Sequence, residues 1–508
     1  MRKGLRKLWN NGAVWSAIAV IINSAMNFLI IPIVSERIGI EAYGYVTLAN
    51  TLITYIDVIS LAINSFASRY IAIEYHNKKI NNAKEYYCSV YFANCILSGM
   101  LLLLMLVFVP NIQLFLVVSN NIVSDVKLLF VIVFIRYIFV LLRSVFEVSA
   151  FIKNKIYLTE RMRSYSYIIQ GILLVYTCII IPAKIWYVAV ASAVAALFML
   201  IAEIIIARKN TPELSLSVSC FSGKKLRTVL ASGVWNSINN LGNLLNSGLD
   251  LLITNKMLTE LALGMISVSK TFGSMCYILA NAISNAFKPK QLELYSKNNI
   301  EGLVGNLKKS MKITGSICNI IIVCFLCCGK EFLSLWIPSQ DINSIYVLSV
   351  IVLFGDIVTG VVNPLFYCYT LANKVKLPCL ITITMGTVNV LSMYILIKYT
   401  SLGMYAVVLT TVILNCIHFI DTPIYSAYCL KIPYKSFYPT ILLHFISLSV
   451  LSTVMLGINY LYPTAHTWCS LLVKGFLFFI LSTGLSFIIV FNKDERNRVL
   501  KKVFKSKT

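Results

Sequence analysis

NNGAVWSAIAVIINSAMNFLIIPIVSERIGIEAYGYVTLAN, residues 10–50, contains two apolar runs joined by a short charged gap. The first, residues 13–34, is about 22 residues long, enough for a helix to cross the bilayer hydrocarbon. Pro32 closes it, and Gly39 and Gly44 prepare the second. The run exceeds a signal-peptide core, carries Asn23 and Asn27, and lacks a clear small-residue cleavage site. It reads as a retained first span.

The pattern continues to the end of the chain. Fourteen candidate spans lie near 13–34, 43–67, 87–109, 126–150, 164–182, 186–207, 230–254, 261–286, 312–328, 343–371, 377–397, 403–429, 438–459 and 468–491. Hydrophobic residues make up 58% of the chain and charged residues 13%, against roughly 25% charged in soluble domains. With residues at span edges counted in the adjoining gap, 34 of the 44 lysines and arginines fall in alternate gaps and 6 in the others. That asymmetry is the positive-inside signature. It accounts for the net charge of +24 without nucleic acid, since no soluble domain is present to carry a basic face. The even count and the basic ends (Arg2, Lys3, Arg6, Lys7; Lys493 to Lys507) place both termini in the cytoplasm.

The gaps are short. Residues 208–229 form a cytoplasmic linker with Pro212, Lys224, Lys225 and Arg227. Two further cytoplasmic loops, 70–86 and 287–311, have the pattern of interfacial helices; in the second, Leu292, Tyr295, Leu303 and Leu307 share a face among lysines. Fourteen cysteines lie mostly inside spans, where cysteine behaves as a small hydrophobe. Cys324 and Cys327 make a formal CxxC with no histidine or second pair to form a metal site.

A shift of 220 residues superposes Tyr43-Gly44-Tyr45-Val46-Thr47-Leu48 on Leu263-Gly264-Met265-Ile266-Ser267-Val268, and Ile63-Asn64-Ser65 on Ile283-Ser284-Asn285. Parallel six-span repeats are one common transporter plan. The expected fold is therefore an all-α integral membrane protein of about 14 transmembrane helices, in two six-helix lobes plus two extra C-terminal helices. The lobes would be 1–207 and 230–430, joined by the 208–229 linker, with 431–508 holding the last two spans and a basic tail.

Polar residues inside the spans point to a wet interior. Asn236, Asn239, Asn240, Asn243, Asn246, Ser247 and Asp250 recur every three to four residues. Comparable stripes are Asn50, Thr54, Asp57 and Asn64; Ser267, Lys270, Ser274, Tyr277, Asn281 and Ser284; and Ser16, Asn23 and Asn27. Any one asparagine is explained by helix–helix hydrogen bonding. Four stripes, on the first two spans of each half, indicate a shared aqueous cavity. Arg136, Arg143 and Glu147 fall at spacings of seven and four, on one helical face. Asp57, Lys270, Asp356 and Asp421 are further charges within spans. Left facing lipid, Arg136, Arg143 and Lys270 would together cost roughly 9 kcal/mol to insert. Arg143 with Glu147 is equally compatible with an intrahelical ion pair, whereas Arg136 has no carboxylate at i±3 or i±4. Lys474 sits about six residues inside its span and can snorkel. His444 lies near the cytoplasmic edge, and His418 is as compatible with a packed histidine as with a proton carrier. Asp421 precedes Thr422 and Pro423, where a kink would free a carbonyl for a cation.

No HExxH, Walker A or G-x-S-x-G motif is present, and the longest extramembrane segments are about 25 residues. No catalytic residue, metal or cofactor is expected, and no nucleotide domain that could drive a pump. Fourteen spans, a 6+6 repeat plus two, short loops and a cationic interior resemble the multidrug/oligosaccharidyl-lipid/polysaccharide exporter superfamily. Within it, the 10–50 stretch and LNSGLDLLITNKM (245–257), with Asp250, are similar to the polysaccharide transporter branch, the Wzx-type O-antigen or repeat-unit flippases.

The resemblance implies a flippase of the bacterial cytoplasmic (inner) membrane that moves an undecaprenyl-pyrophosphate-linked oligosaccharide to the outer leaflet by alternating access. On that reading Arg136, Arg143 and Lys270 hold the headgroup, arginine suiting phosphate through its planar fork. Asn236, Asn240, Asn243, Asn50 and Asn27 meet sugar hydroxyls, and Asp57, Glu147, Asp250 or Asp421 couples a proton or sodium ion. The expected partners are the lipid-linked oligosaccharide and membrane lipids, and the expected state is a monomer. The competing readings are a lipid II flippase, a cation-coupled multidrug antiporter, and a membrane glycosyltransferase or polymerase. The buried cations weigh against the antiporter, and the lack of a long external loop against the enzyme.

Overall fold

A computed structural model describes residues 12–177 and 183–497. The basic N-terminal residues, the end of the fifth span and most of the basic tail lie outside the described residues, as do the side chains of Asn246 and Ser247. The chain separates into two compact units, residues 1–264 and 265–508. The 208–229 linker and the helix that follows it belong to the first.

In the first unit, α1 (Gly12–Arg37), α2 (Ile40–Asn64), α3 (Ala67–His76), α4 (Ile80–Phe108) and α5 (Val123–Arg143) are followed by short α6 (Glu147–Ile152). Then come α7 (Ile156–Val175), α8 (Trp186–Asn210), α9 (Gly223–Asn243) and α10 (Asp250–Met257). α1 packs on α7, α7 on α8, α8 on α5, and α9 lies along α2. Gly233 of α9 meets the backbone of Ala62 in α2 so closely that no Cβ fits. The second unit continues with α11 (Glu260–Ser296), which begins in the first, α12 (Ile300–Trp336), α13 (Ile342–Leu371), α14 (Lys376–Tyr399), α15 (Met404–Cys416), α16 (His418–Leu430), α17 (Tyr438–Leu461) and α18 (Trp468–Val490). There α12 is central, packed against α13, α17 and α18.

Twelve helical stretches among the described residues are long and apolar enough to span a membrane. Their outward faces are apolar: Leu103, Leu106, Leu472 and Phe476 are all exposed, as a lipid-facing surface requires. The other two sequence-expected spans are present as helices. α7 runs to the edge of the undescribed 178–182, and the seventh is polar and broken. The protein is an all-α, multi-pass membrane protein of about fourteen transmembrane helices.

Several elements depart from a simple reading of hydropathy. The seventh span is not one helix, because a π-helical turn, Leu244–Gly248, separates α9 from α10. Tyr55 donates to the Gly248 carbonyl at 2.6 Å, satisfying a group that the wide turn displaces. The fourth span breaks at 144–146, so Glu147 lies on a separate helix from Arg136 and Arg143. Of the two segments expected as interfacial helices, 287–311 is formed by prolongations of α11 and α12, whereas 70–86 holds the separate short α3 and the start of α4. α11 and α12 are 37 residues each, on the order of 55 Å, and meet at a tight turn. The twelfth span breaks at Ile417, ahead of Pro423.

The turns extend the 220-residue correspondence. Lys78 and Asn298 both have left-handed backbones, with φ of 60° and 53°. In each turn the next residue's N–H reaches back five residues, Lys79 to Glu74 and Asn299 to Leu294, both at 3.0 Å. Asn154 and Asn373, 219 residues apart, have the same closure, with Lys155 donating to Ala150 and Lys374 to Tyr369 at 2.8 Å. These are Schellman closures, and asparagine tolerates the left-handed position better than most side chains. Helix starts are equally local: Asn299 caps α12 through Gly302 N–H at 2.8 Å, and Asp341 caps α13 through Ser344 N–H at 3.2 Å.

At the outer end of the first unit the loop between α4 and α5 is held by side chains around α10. Asn255 accepts from Val117 N–H at 3.0 Å and donates to its carbonyl at 2.9 Å, while Tyr45 donates to the same carbonyl at 2.7 Å. Glu260 accepts from the backbone and hydroxyl of Ser119 at 2.7 and 2.8 Å. Gly264 lies against the Ile40 backbone with no room for a Cβ.

Candidate functional site

The polar stripe of α2 continues into hydrogen bonds with α4 and α5. Asp57 Oδ1 accepts from the Ser60 hydroxyl at 2.5 Å and from the Tyr137 hydroxyl at 2.6 Å. Tyr137 also lies 3.0 Å from Ser60 Oγ. Two turns further on, Asn64 and Asn94 exchange amide hydrogen bonds at 3.1 and 2.9 Å, and Ser144 joins both. A buried amide finds full partnership in such a reciprocal pair. Asn50 instead bonds back to the Val46 carbonyl at 2.8 Å.

Beyond Ser144 the column becomes ionic. Arg143 Nη2 lies 3.5 Å from Glu147 Oε1, so the ion-pair alternative for these two is realised across the helix break. Arg163 of α7 reaches the same oxygen at 3.6 Å and Glu160 at 3.0 Å. Glu203 of α8 is fully buried beside this group, bridged by neither arginine, and the Thr159 hydroxyl is the donor facing it. Arg136, two turns before Arg143, is half-buried with an unpartnered Nε and no carboxylate partner among the described residues.

The α9 stripe faces away from α2. Ser237 is buried with Gly233, while Asn236 and Asn243 are exposed and Asn240 is half-buried. Asn27 is exposed on α1, and Asp250 is buried at the start of α10. In the second unit Lys270 is half-buried on α11, and Asp421 pairs with His418 at 3.1 Å and accepts from Thr422 at 3.0 Å. Asp356 lies against Gly273, one turn from Lys270.

One sequence expectation fails here. Lys474 does not snorkel. It is 1% exposed, and its Nζ lies 2.6 Å from Glu331 of α12, because the partner carboxylate comes from another helix at the same depth. His444, in the second turn of α17, is fully buried against Gly315, and its carbonyl accepts from Asn319 at 3.0 Å. Sequence reasoning also missed Tyr137, Asn94, Arg163, Glu160 and Glu203. Glu203 alone carried a usable signal, a carboxylate inside the apolar 186–207 run, subject to the same insertion cost as Asp57.

The family described as "Polysaccharide biosynthesis protein" matches residues 9–289. The chain is 26% identical over 496 residues to the uncharacterized membrane protein EpsK of Bacillus subtilis (strain 168), covering 96% of this chain and 97% of the relative. Among solved structures, lipid II flippase MurJ in an inward closed conformation gives a TM-score of 0.67 at 16% identity, covering 93% of this chain and 98% of that one. An inward-facing multidrug resistance MATE family transporter of the MOP superfamily gives 0.66 at 14% identity, covering 82% and 98%. The fold is shared with both of these structures, a lipid II flippase and a multidrug resistance transporter of the MOP superfamily.

Proposed function

We propose, for a chain that belongs to the polysaccharide biosynthesis protein family and shares its fold with solved transporters and flippases, that it flips an undecaprenyl-pyrophosphate-linked oligosaccharide across the bacterial cytoplasmic membrane. The cargo would be a surface-polysaccharide repeat unit such as an O-antigen unit, carried to the outer leaflet by ion-coupled alternating access in a monomer.

The observation that carries this reading is Arg136. A half-buried guanidinium in mid-span, with one nitrogen buried and unpartnered, is costly unless an anion completes it. A pyrophosphate is such an anion, and two parallel N–H donors match its oxygens. Arg143, and Lys270 in the second unit, are the other proposed headgroup ligands. Asn236, Asn240, Asn243, Asn50 and Asn27 are proposed for the sugars, and Asp57, Glu147, Asp250 or Asp421 for the coupling ion. Asp57 suits that task in particular: held by Ser60 and Tyr137, it can take a proton or a cation without moving.

The test uses purified protein in liposomes whose inner leaflet holds lipid-pyrophosphate oligosaccharide, with a glycan-modifying enzyme added outside. Protein-dependent modification is the expected result. Absence of modification across several glycans, lipid II included, and across proton and sodium gradients would overturn the reading.

A further inference from the structure

The ionic group at the end of α5 does not balance. Arg143 and Arg163 supply two positive charges, and Glu147, Glu160 and Glu203 would supply three negative ones. The two arginines are committed to Glu147 and Glu160. Glu203, fully buried, is bridged by neither arginine, and the Thr159 hydroxyl is the donor facing it. An ionised carboxylate buried without a counter-charge committed to it is among the most costly arrangements in a protein.

We infer that Glu203 is a proton-binding site, neutral while Arg143 and Arg163 are held by Glu147, and ionised when an arginine is freed to reach it. The groups facing it come from each helix packed against α8: Arg143 from α5, Glu147 from α6, and Thr159 and Arg163, with Glu160 behind it, from α7. When the proton leaves, Glu203 competes with Glu147 for both arginines. Whatever anion draws Arg143 away from this group leaves a carboxylate without its counter-charge and favours rebinding of the proton. If Arg143 contacts the pyrophosphate headgroup, as proposed above, headgroup binding and proton uptake at Glu203 are linked. That linkage rests on the proposed function, whereas the proton site does not.

The experiment is infrared difference spectroscopy of the full chain in lipid, titrated from about pH 5 to about pH 9, for wild type, Glu203→Gln and Arg143→Gln. Wild type is expected to show a carboxylic-acid carbonyl band that Glu203→Gln lacks and that fades as pH rises. In Arg143→Gln, with one cation gone, the band should persist to higher pH by about one unit or more. Superposable wild-type and Glu203→Gln spectra across the range would overturn the inference. Should Glu203→Gln fail to fold, wild type treated with dicyclohexylcarbodiimide decides instead, because this apolar reagent attaches to protonated carboxyls. An adduct mapped to Glu203 supports the site, and adducts on Glu147 or Glu160 without one on Glu203 contradict it. Neither readout requires flipping, so failure of the flippase reading would leave both interpretable.

Discussion

Lys474 and Glu331 show how much a single buried charge depends on its partner. At 2.6 Å, with Lys474 1% exposed, the pair holds α18 to α12. A second bridge, Lys312 to Glu495 at 2.7 Å, ties α12 to the segment beyond α18. Lys474→Ala should destabilise the protein by about 3–5 kcal/mol by stranding Glu331. Adding Glu331→Gln should recover a substantial part of that loss, which thermal unfolding in detergent would read. Recovery is the informative arm, since a purely steric role for Lys474 predicts none. The charges that sequence reasoning did identify, Asp57, Arg136 and Arg143, were legible because insertion cost is a property of one residue in one span. Tyr137, Arg163 and Glu331 were not. Each matters through a bond to another helix, and order along the chain does not give neighbours in space.

For the helices, hydropathy recovered nearly every span but not the breaks in the fourth and seventh, and only the twelfth breaks near an expected kink, at Ile417 ahead of Pro423. Averaging over a window of about 19 residues cannot register a π-turn at 244–248 or a break at 144–146, where backbone hydrogen bonding and tertiary contacts decide. Caps are more local. Asp341 accepts hydrogen bonds from Ser344, which hold its carboxyl below the usual range. A depressed carboxyl stabilises the folded state above its unfolded pKa, and that contribution is lost as pH falls through the folded value. Asp341→Asn should therefore speed amide exchange over residues 342–345 at neutral pH. The difference from wild type should shrink below about pH 4, and a difference independent of pH would remove the charge from the explanation. The outer loop gives a second expectation. Asn255→Ala removes both bonds to Val117, so exchange at Val117 should rise by about tenfold or more, equivalent to roughly 1.4 kcal/mol, while the α2 core around Leu48 is unaffected.

Over the whole molecule, the alternation of basic gaps already contained the topology, and the turns at Lys78 and Asn298, 220 residues apart, carry the repeat into the backbone. With exposed Cys416 and Cys469 replaced, a cysteine placed at Ser119 should react with an impermeant maleimide on intact cells, and one placed at Lys78 only in inverted vesicles. Labelling from the same side would break the fourteen-span arrangement. Function was legible only as a class, because the family is one of polysaccharide biosynthesis and the fold is shared with solved transporters and flippases, while the cargo is set by side chains whose ligand must be tested directly. The central claim is a cationic headgroup site within a flippase. It is tested most directly by the liposome flipping assay on wild type and on Arg136→Ala with Arg143→Ala, with folding verified for both. The account predicts protein-dependent flipping by wild type and its loss, by at least about tenfold, in the double variant, equivalent to roughly 1.4 kcal/mol of lost stabilisation. Undiminished flipping by the double variant would contradict the headgroup site.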